Sequence, residues 1–397
     1  LTVKADDLRN PTTTSSAQTI HAGVLNSPDV NILWPEGGGH YLKGDGNILV
    51  KFTIRDATAG EVLFADFYAS LFPADFNTTN QFGNDVNLAQ LARFPTNDAN
   101  CSATTSYTTN STTFFDQNVL CYYDWNPASL ADQNYFIDAN VFDKLKNAAQ
   151  DSTPRQPDGT ETGLISAWNM NEGRALLAAD ANTLHSPADL LAFSGGPYWD
   201  LNVPFSPTVE GFDVNLGKSG DAITNAQDSP FHDNRGRMSM SIWLRPSALA
   251  ANQWLLTKWD ETTSADNSWG MRVASGASNV QMYLAASAAD TGTYFTSNTN
   301  GLVNDKWQQL TAVFDYNGGV GDANRIRLFN NGNPMGGSIT GTFPYVLLNS
   351  AQHVKIGKND GTVDYNGFVD TATLWDTPLS KKAVKQWSGA VLVNTTN

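Results

Sequence analysis

The sequence predicts an all-β protein made of two successive β-sandwiches. Short segments in which apolar and polar residues alternate recur along the chain, and a period of two is typical of half-buried strands. Residues 238–246 (MSMSIWLRP) and 307–315 (WQQLTAVFD) show this alternation most clearly. Asn-Gly, Gly-Gly and Asp-Gly pairs separate the segments and supply the positive φ angles that tight hairpins need. Antiparallel sheets are therefore expected throughout.

The first sandwich is predicted over residues 29–148, with an immunoglobulin-like arrangement of strands. Its candidate strands are residues 48–56 (ILVKFTIRD), 62–72 (VLFADFYASLF), 120–125 (LCYYDW) and 135–143 (YFIDANVFD). Residues 1–28 are rich in Thr, Ser and Asn and form a separate arm, which is either flexible or an extended strand that docks elsewhere. Residues 149–162 are a polar, proline-containing linker.

The second sandwich is predicted over residues 163–392. Besides the two segments above, its candidate strands are residues 253–259 (QWLLTKW), 269–273 (WGMRV), 280–285 (VQMYLA), 325–329 (RIRLF) and 353–357 (HVKIG).

Several of these segments resemble the laminin G-like branch of the concanavalin A-like lectin and glucanase superfamily. They are residues 163–173 (GLISAWNMNEG), 241–246 (SIWLRP), 306–315 (KWQQLTAVFD), 325–332 (RIRLFNNG) and 366–380 (NGFVDTATLWDTPLS). The resemblance implies a concanavalin A-like jelly roll. Residues 134–143 (NYFIDANVFD) resemble a strand of bacterial and archaeal surface modules.

The composition limits the range of partners and compartments. A formal net charge of −15 argues against nucleic acid or an anionic membrane, since either would need a basic patch. No run approaches the ~18 apolar residues of a membrane span. The chain begins at Leu1 without an initiator Met, which fits a secreted product after removal of its targeting segment, although a shortened chain would look the same. We therefore expect an extracellular or cell-surface location.

The two cysteines support the same expectation. Cys101 and Cys121 flank a polar segment and are predicted to form a disulfide bond, the alternative being two buried free thiols. Sequons compatible with a glycoprotein are present at Asn77, Asn100, Asn110 and Asn394.

The sequence predicts no enzymatic activity. A glycoside hydrolase needs a pair of carboxylates that flank the scissile bond. Glutamate is scarce here, and no E-x-D-x-x-E strand is present. The histidines form no H-E-x-x-H motif, and no G-x-S-x-G nucleophile elbow occurs.

The laminin G-like resemblance implies calcium as a candidate cofactor. Asp221 and Asp370 match acidic positions of the family's pattern, and Asp360 or Asp364 would add ligands. Gly217 stands where the family has a further Asp, so the alternative that these aspartates cap turns and strand ends stays open.

Glycan binding requires exposed aromatic side chains. Trp199 and Trp269 lie near predicted loops and are the candidates for a ligand surface, unless they pack beneath those loops. Trp168, Trp243 and Trp307 lie within strands and are predicted to be core residues.

Two functions remain from different classes. The first is a secreted structural protein that forms a filament, surface layer or adhesive appendage, in which the arm pairs with another copy or another surface protein. Val3, Ile20, Val24 and Leu25 would anchor that arm. The alternative is a lectin-like module for glycan binding and adhesion. A glycoside hydrolase or its accessory domain ranks below both.

Overall fold

The computed structural model describes most of the chain beyond the arm. The described residues are 29–35, 37, 39–55, 64–70, 89–95, 101–103, 107–109, 112–114, 119–142, 148–152, 156–173, 177–182, 191–200, 213–217, 220–225, 228–229, 232–233, 236–260, 267–274, 278–287, 292–318, 325–358 and 363–394. The arm, Asp360 and the sequons at Asn77, Asn100 and Asn110 lie outside them. Within these ranges, no helix is long and apolar enough to cross a membrane.

The N-terminal part is built from short strands and two single-turn 3₁₀ helices at Lys43–Asp45 and Pro127–Ser129. Its strands are β1 (Asp29–Trp34), β2 (His40–Leu42), β3 (Ile48–Arg55), β4 (Phe64–Ser70), β5 (Ala89–Pro95), β6 (Cys101–Ala103), β7 (Tyr107–Thr109), β8 (Thr112–Phe114), β9 (Val119–Trp125), β10 (Gln133–Phe142) and β11 (Ala148–Ser152).

The C-terminal part adds further strands and one α-helix. They are β12 (Leu164–Trp168), β13 (Leu177–Ala178), β14 (Leu191–Ser194), β15 (Tyr198–Asp200), β16 (Asp213–Leu216), β17 (Ala222–Asn225), β18 (Arg237–Pro246), β19 (Trp254–Lys258), β20 (Trp269–Val273), β21 (Val280–Leu284), β22 (Thr293–Ser297), β23 (Gln308–Asp315), β24 (Ile326–Asn330), β25 (Asn333–Met335), β26 (Gly337–Thr340), β27 (Lys355–Ile356), β28 (Gly367–Trp375), α1 (Lys381–Ser388) and β29 (Val391–Asn394).

The N-terminal strands form two main sheets around a small apolar core. One sheet has the order β1-β3-β9-β6, and the other has the order β2-β29-β10-β4-β5 with β11 paired to β10. Alternate residues of β3 point into the core, where the rings of Phe52 and Phe67 lie 4.3 Å apart. The described residues thus show a small N-terminal β-sheet region, and its immunoglobulin-like topology stays a prediction.

The backbone register brings the two cysteines together. β6 pairs antiparallel with β9, and Cys101 lies directly opposite Cys121. Cys121 is fully buried. This register suits a cross-strand bond, and the disulfide itself stays a prediction.

The C-terminal part is a β-sandwich of two large antiparallel sheets, as predicted. The eight-stranded sheet has the order β15-β16-β28-β18-β23-β24-β25 with β12 paired to β28, and the nine-stranded sheet has the order β13-β14-β17-β27-β19-β20-β21-β22-β26. Alternation along β18 turns Met238, Met240 and Ile242 toward the nine-stranded sheet, where they meet Met271 and Met282. The apolar core fills the space between the sheets.

The outer face of the eight-stranded sheet is covered rather than exposed to solvent. The helix α1 packs on it through Val384 and Trp387, and the Trp387 ring lies 5.5 Å from that of Trp375. Ser380 caps the start of α1 by accepting a hydrogen bond from the Ala383 N–H, and Gly389 ends it with φ of 72°.

The N-terminal sheets also pack on this covered face. Phe136 of β10 joins a buried cluster with Trp243, Trp307 and Ala390, and the rings of Phe136 and Trp243 lie 6.4 Å apart. The amide of Asn134 donates to the carbonyl of Asn331 at 3.4 Å across the same boundary. We call this contact the junction.

The last strand connects the two parts more tightly than the sequence predicted. β29 pairs antiparallel with β10 and parallel with β2, so the chain returns from the second sandwich to complete an N-terminal sheet. The predicted second domain ended at residue 392, inside this strand. The connection between the two parts begins later than the predicted linker boundary at residue 149, because residues 148–152 form β11 and pair with β10.

Candidate functional site

The outer face of the nine-stranded sheet lies on the far side of the sandwich from the junction. Two rows of side chains cross it in register. One row runs through Lys355, Thr257, Gly270, Tyr283, Tyr294 and Thr340, and the other runs through Trp254, Arg272, Gln281, Thr296 and Ser338. At the usual strand spacing the first row spans roughly 24 Å. Arg272, Tyr294 and Thr296 are half-buried, and Ser338 and Thr340 are exposed, so solvent reaches this face.

Aromatic rings cluster at the centre of these rows. Trp254 and Trp259 stack with centroids 5.9 Å apart, and Tyr283 and Tyr294 stack at 4.8 Å. Gly270 makes room for this cluster, since a Cβ at that position would lie 2.6 Å from the Trp254 ring. The two tryptophans and Tyr283 are at most 7% exposed, whereas the ring of Tyr294, which stacks on Tyr283, is half-exposed.

Planar polar groups flank the rings on one side. The Arg272 guanidinium lies 4.4 Å from the centroid of Tyr283, a cation–π contact, and its Nε donates to Gln281 Oε1 at 3.0 Å. The Gln281 amide donates in turn to Thr296 Oγ1 at 2.9 Å. These bonds fix the guanidinium and the amide at defined positions beside the aromatic rings. We call Tyr283, Tyr294, Arg272, Gln281 and Thr296 the outer-face patch.

A second set of polar side chains lies at the Lys355 end of the first row. Lys355 Nζ donates to Gln352 Oε1 at 3.2 Å, and the Gln352 amide lies 3.4 Å from Asp260 Oδ2. An aromatic surface between hydrogen-bonding groups suits a ligand with apolar faces and hydroxyl edges, because stacking and directional hydrogen bonds act on different parts of it.

The structure contradicts the prediction that Trp269 is part of a ligand surface. Trp269 is fully buried in the sandwich core, where its indole N–H donates to the His232 carbonyl at 3.1 Å. Trp199 is half-buried, and its ring packs 4.9 Å from that of Phe193. Alternation explains the difference, since Trp269 points inward when Gly270 points outward.

The outer-face patch was missed, although β20 and β21 were predicted; β22, which carries Tyr294 and Thr296, was not. The alternation of residues 280–285 separates Gln281 and Tyr283 from the inward residues. It does not reveal that Arg272 and Tyr294 lie beside them, because that depends on the register of three strands. The glycosylation candidate Asn394 lies on β29, where its backbone pairs with Leu42.

The predicted calcium ligands lie in two places. Asp221 is buried immediately before β17, and next to it the Gly220 N–H donates to Asp364 Oδ2 at 2.7 Å. Asp370 lies on β28 of the other sheet. Within the described residues, no group of three or more His, Cys, Asp or Glu side chains is arranged to hold a metal ion.

The acidic neighbour of Asp370 is Asp213, not Asp221. Val214 pairs with Val369, which puts Asp213 opposite Asp370, and both carboxyl groups are fully buried. Burial raises the pKa of Asp370 well above its ordinary value, and the charge of Asp213 raises that pKa further. Asp370 Oδ1 accepts from the Thr371 hydroxyl at 3.0 Å and lies 3.4 Å from the Gln156 amide.

Several oxygen atoms lie near the Asp370 carboxyl group, around the amide of Gln156. Asp370 Oδ2 has no hydrogen-bond partner among the described residues. The Gln156 amide nitrogen is also surrounded by the Asn169 carbonyl at 3.1 Å, Asn171 Oδ1 at 3.4 Å and Thr371 Oγ1 at 2.9 Å. Oxygen ligands of this kind are those that calcium prefers. A bound calcium ion would neutralise the two buried carboxylates.

We predict that calcium raises the melting temperature of the protein through Asp370. Wild type should melt higher in calcium than in chelator, because an ion that binds only the folded state stabilises it by mass action. Asp370→Asn keeps the shape of the side chain and removes its charge. In chelator this variant should melt at or above wild type, because repulsion from Asp213 is relieved.

The calcium response itself should be lost in Asp370→Asn. Thermal melts of both proteins in calcium and in chelator measure it. Asp364→Asn, at the Gly220 loop, is the matched control and should keep the wild-type response. A wild-type protein with the same melting temperature in both conditions would contradict the prediction.

Comparison with known protein families supports the sandwich fold of the C-terminal part. The family model of the concanavalin A-like lectin/glucanases superfamily matches residues 217–385. The C-terminal half of the chain therefore contains a concanavalin A-like lectin/glucanase domain, as the sequence motifs predicted. A comparison with curated protein sequences finds no significant match.

Three solved structures illustrate the similarity of the fold to known proteins. Domain 4 of AbnA, a GH43 extracellular arabinanase from Geobacillus stearothermophilus in complex with arabinotriose, is 13% identical, with a TM-score of 0.39 and coverage of 57% of this chain and 98% of that one. The receptor binding domain of botulinum neurotoxin type G is 12% identical, with a TM-score of 0.40 and coverage of 57% and 51%.

The binding domain of Paraclostridial Mosquitocidal Protein 1 is also 12% identical, with a TM-score of 0.41 and coverage of 57% and 52%. The matched region thus spans about half the length of the two toxin-related domains. At these TM-scores the similarities carry no argument about the function of this chain.

Proposed function

We propose that the C-terminal sandwich is a lectin-like module that binds carbohydrate through the outer-face patch. The observation that carries this proposal is the half-exposed Tyr294 ring, which stacks on Tyr283 beside the fixed guanidinium of Arg272 and the amide of Gln281. A sugar ring offers an apolar face to the tyrosine and hydroxyl groups to the polar pair. The concanavalin A-like domain type supports the same proposal.

The proposed binding is extracellular and is not followed by hydrolysis. The paired carboxylates of a retaining or inverting glycosidase are about 5–10 Å apart across the sugar. The sequence lacks the E-x-D-x-x-E strand that would place such a pair on this sheet. Release of reducing sugar from a bound polysaccharide would contradict the non-enzymatic part of the proposal.

The described residues do not test the assembly hypothesis. It depends on strand donation by residues 1–28, which lie outside the described residues. The described residues instead provide a patch with the chemistry of a ligand surface. An assembly role therefore stays a prediction, and binding of glycans is the function that the site supports best.

We predict that Tyr294→Ala weakens glycan binding about fivefold, because a lost stacking contact costs on the order of 1 kcal/mol. Arg272→Lys should also weaken binding, since lysine keeps the charge but loses the planar, hydrogen-bonded guanidinium. A glycan array identifies a ligand, and calorimetry with that ligand measures the dissociation constants.

Tyr345→Ala is the matched control for Tyr294→Ala. Tyr345 is 69% exposed and packs on Tyr316, which follows the last residue of β23 in the other sheet. Its removal should leave the affinity unchanged. The proposed function would be overturned if the control and the patch variants lost the same affinity. It would also be overturned if no glycan bound at all.

A further inference from the structure

Lys258 is a fully buried lysine held between two carboxyl groups. It is the last residue of β19, and its side chain is 0% exposed. Its Nζ lies 2.5 Å from Asp233 Oδ1 and 2.7 Å from Asp228 Oδ1. Both aspartates precede β18 in the chain, so the contact joins the segment that enters one sheet to a strand of the other sheet.

The two aspartates differ in their surroundings. The Asp233 side chain is 5% exposed, whereas that of Asp228 is 34% exposed. Burial raises the pKa of Asp233, although Lys258 opposes the shift. A backbone N–H of Ser350 also donates to the Asp233 carboxyl group. Asp233 is therefore the more buried of the two carboxyl groups, and its burial favours the protonated form.

The surroundings of Lys258 are poor in water. Lys258 pairs with Trp269 on β20, and Trp269 is fully buried. His232, the residue before Asp233, packs against the fully buried Trp168. In such an environment a neutral amine next to a neutral acid costs less to bury than an ammonium next to a carboxylate. The Lys258 amine and the Asp233 carboxyl group are thus close together and held in place.

We propose that Lys258 and Asp233 form an intramolecular isopeptide bond, with Asp228 transferring the proton. The lysine amine attacks Cγ of the protonated Asp233 carboxyl group, so that a C–N bond forms. Asp228 accepts a proton from the nitrogen and delivers it to the departing hydroxyl group, so that a C–O bond breaks and one water molecule leaves. No oxidant, reductant or cofactor takes part.

The Ser350 N–H has a role in this step. It points to the Asp233 carboxyl group, where negative charge develops on oxygen during attack. The resulting amide would tie the segment before β18 to the end of β19 covalently. This cross-link goes beyond the proposed glycan-binding function and does not depend on it.

Intact mass spectrometry of the reduced and alkylated full chain tests the proposal. Wild-type protein should be lighter than its sequence by the mass of one water molecule. Tandem spectra of a digest should contain a branched peptide that joins the Asp233 and Lys258 segments. This peptide identifies the bond in wild-type protein, so the test does not require any variant to fold.

Variants assign the roles of the three residues. Lys258→Met and Asp233→Ala should have their full sequence masses, and Asp228→Asn should be uncrosslinked or form the bond at least tenfold more slowly. Lys382→Met, an exposed lysine on α1, is the matched control and should keep the mass deficit.

Two results would overturn the inference. One is a folded wild-type protein, verified by circular dichroism, with its full sequence mass, which would show an ordinary buried ion pair. The other is a mass deficit that persists in Lys258→Met, which would show cyclisation of an aspartate onto its own backbone.

Discussion

Replacing Trp243 with alanine is expected to lower the free energy of unfolding by about 3–5 kcal/mol, the usual cost of deleting a large buried aromatic side chain. Trp243 is 1% exposed and contacts Phe136 of the N-terminal sheets as well as Trp307 of the second sandwich. Its removal leaves a cavity at the junction, where neither part can close the gap without moving relative to the other.

Chemical denaturation monitored by circular dichroism measures this loss. Trp34→Ala is the matched control, because Trp34 is 39% exposed and its removal should cost about 1 kcal/mol or less. If the junction unfolds separately from the sandwich, the variant should show two transitions where wild type shows one. Equal effects of the two substitutions would mean that the junction adds little to stability.

Removal of β29 is the second change with a large expected effect. A chain ending at residue 390 loses the strand that lies between β2 and β10, and each backbone hydrogen bond lost costs on the order of 1 kcal/mol. The unpaired edge of β10 becomes exposed at the same time. We expect a fall in melting temperature on the order of 10 °C and a greater tendency to aggregate.

A chain ending at residue 394 is the matched control for this truncation, since it removes only the three residues after β29. Differential scanning calorimetry should show an unchanged melting profile for this chain. In the shorter chain, the N-terminal sheets should unfold first and at a lower temperature, because the second sandwich keeps all of its strands. An unchanged melting temperature in the shorter chain would show that β29 is dispensable.

The sequence by itself determined the class of the fold and much of the strand pattern. Alternation and turn residues mark several central strands of the second sandwich, and segments such as residues 241–246 identify the concanavalin A-like domain. Both properties are local, because side chains alternate along a strand whatever its neighbours are. Trp168 lies in the sandwich core as predicted, whereas Trp243 and Trp307, predicted to be core residues as well, are buried at the junction.

Only the tertiary structure decided which face of each sheet is covered and which residues meet across strands. Trp243 is buried by the N-terminal sheets, and Tyr294 on the other outer face stays half-exposed, although both point away from the sandwich core. The pairs Asp213–Asp370 and Asp233–Lys258 likewise join residues from separate strands and loops. Such contacts depend on long-range register and packing, which a period of two along one strand does not specify.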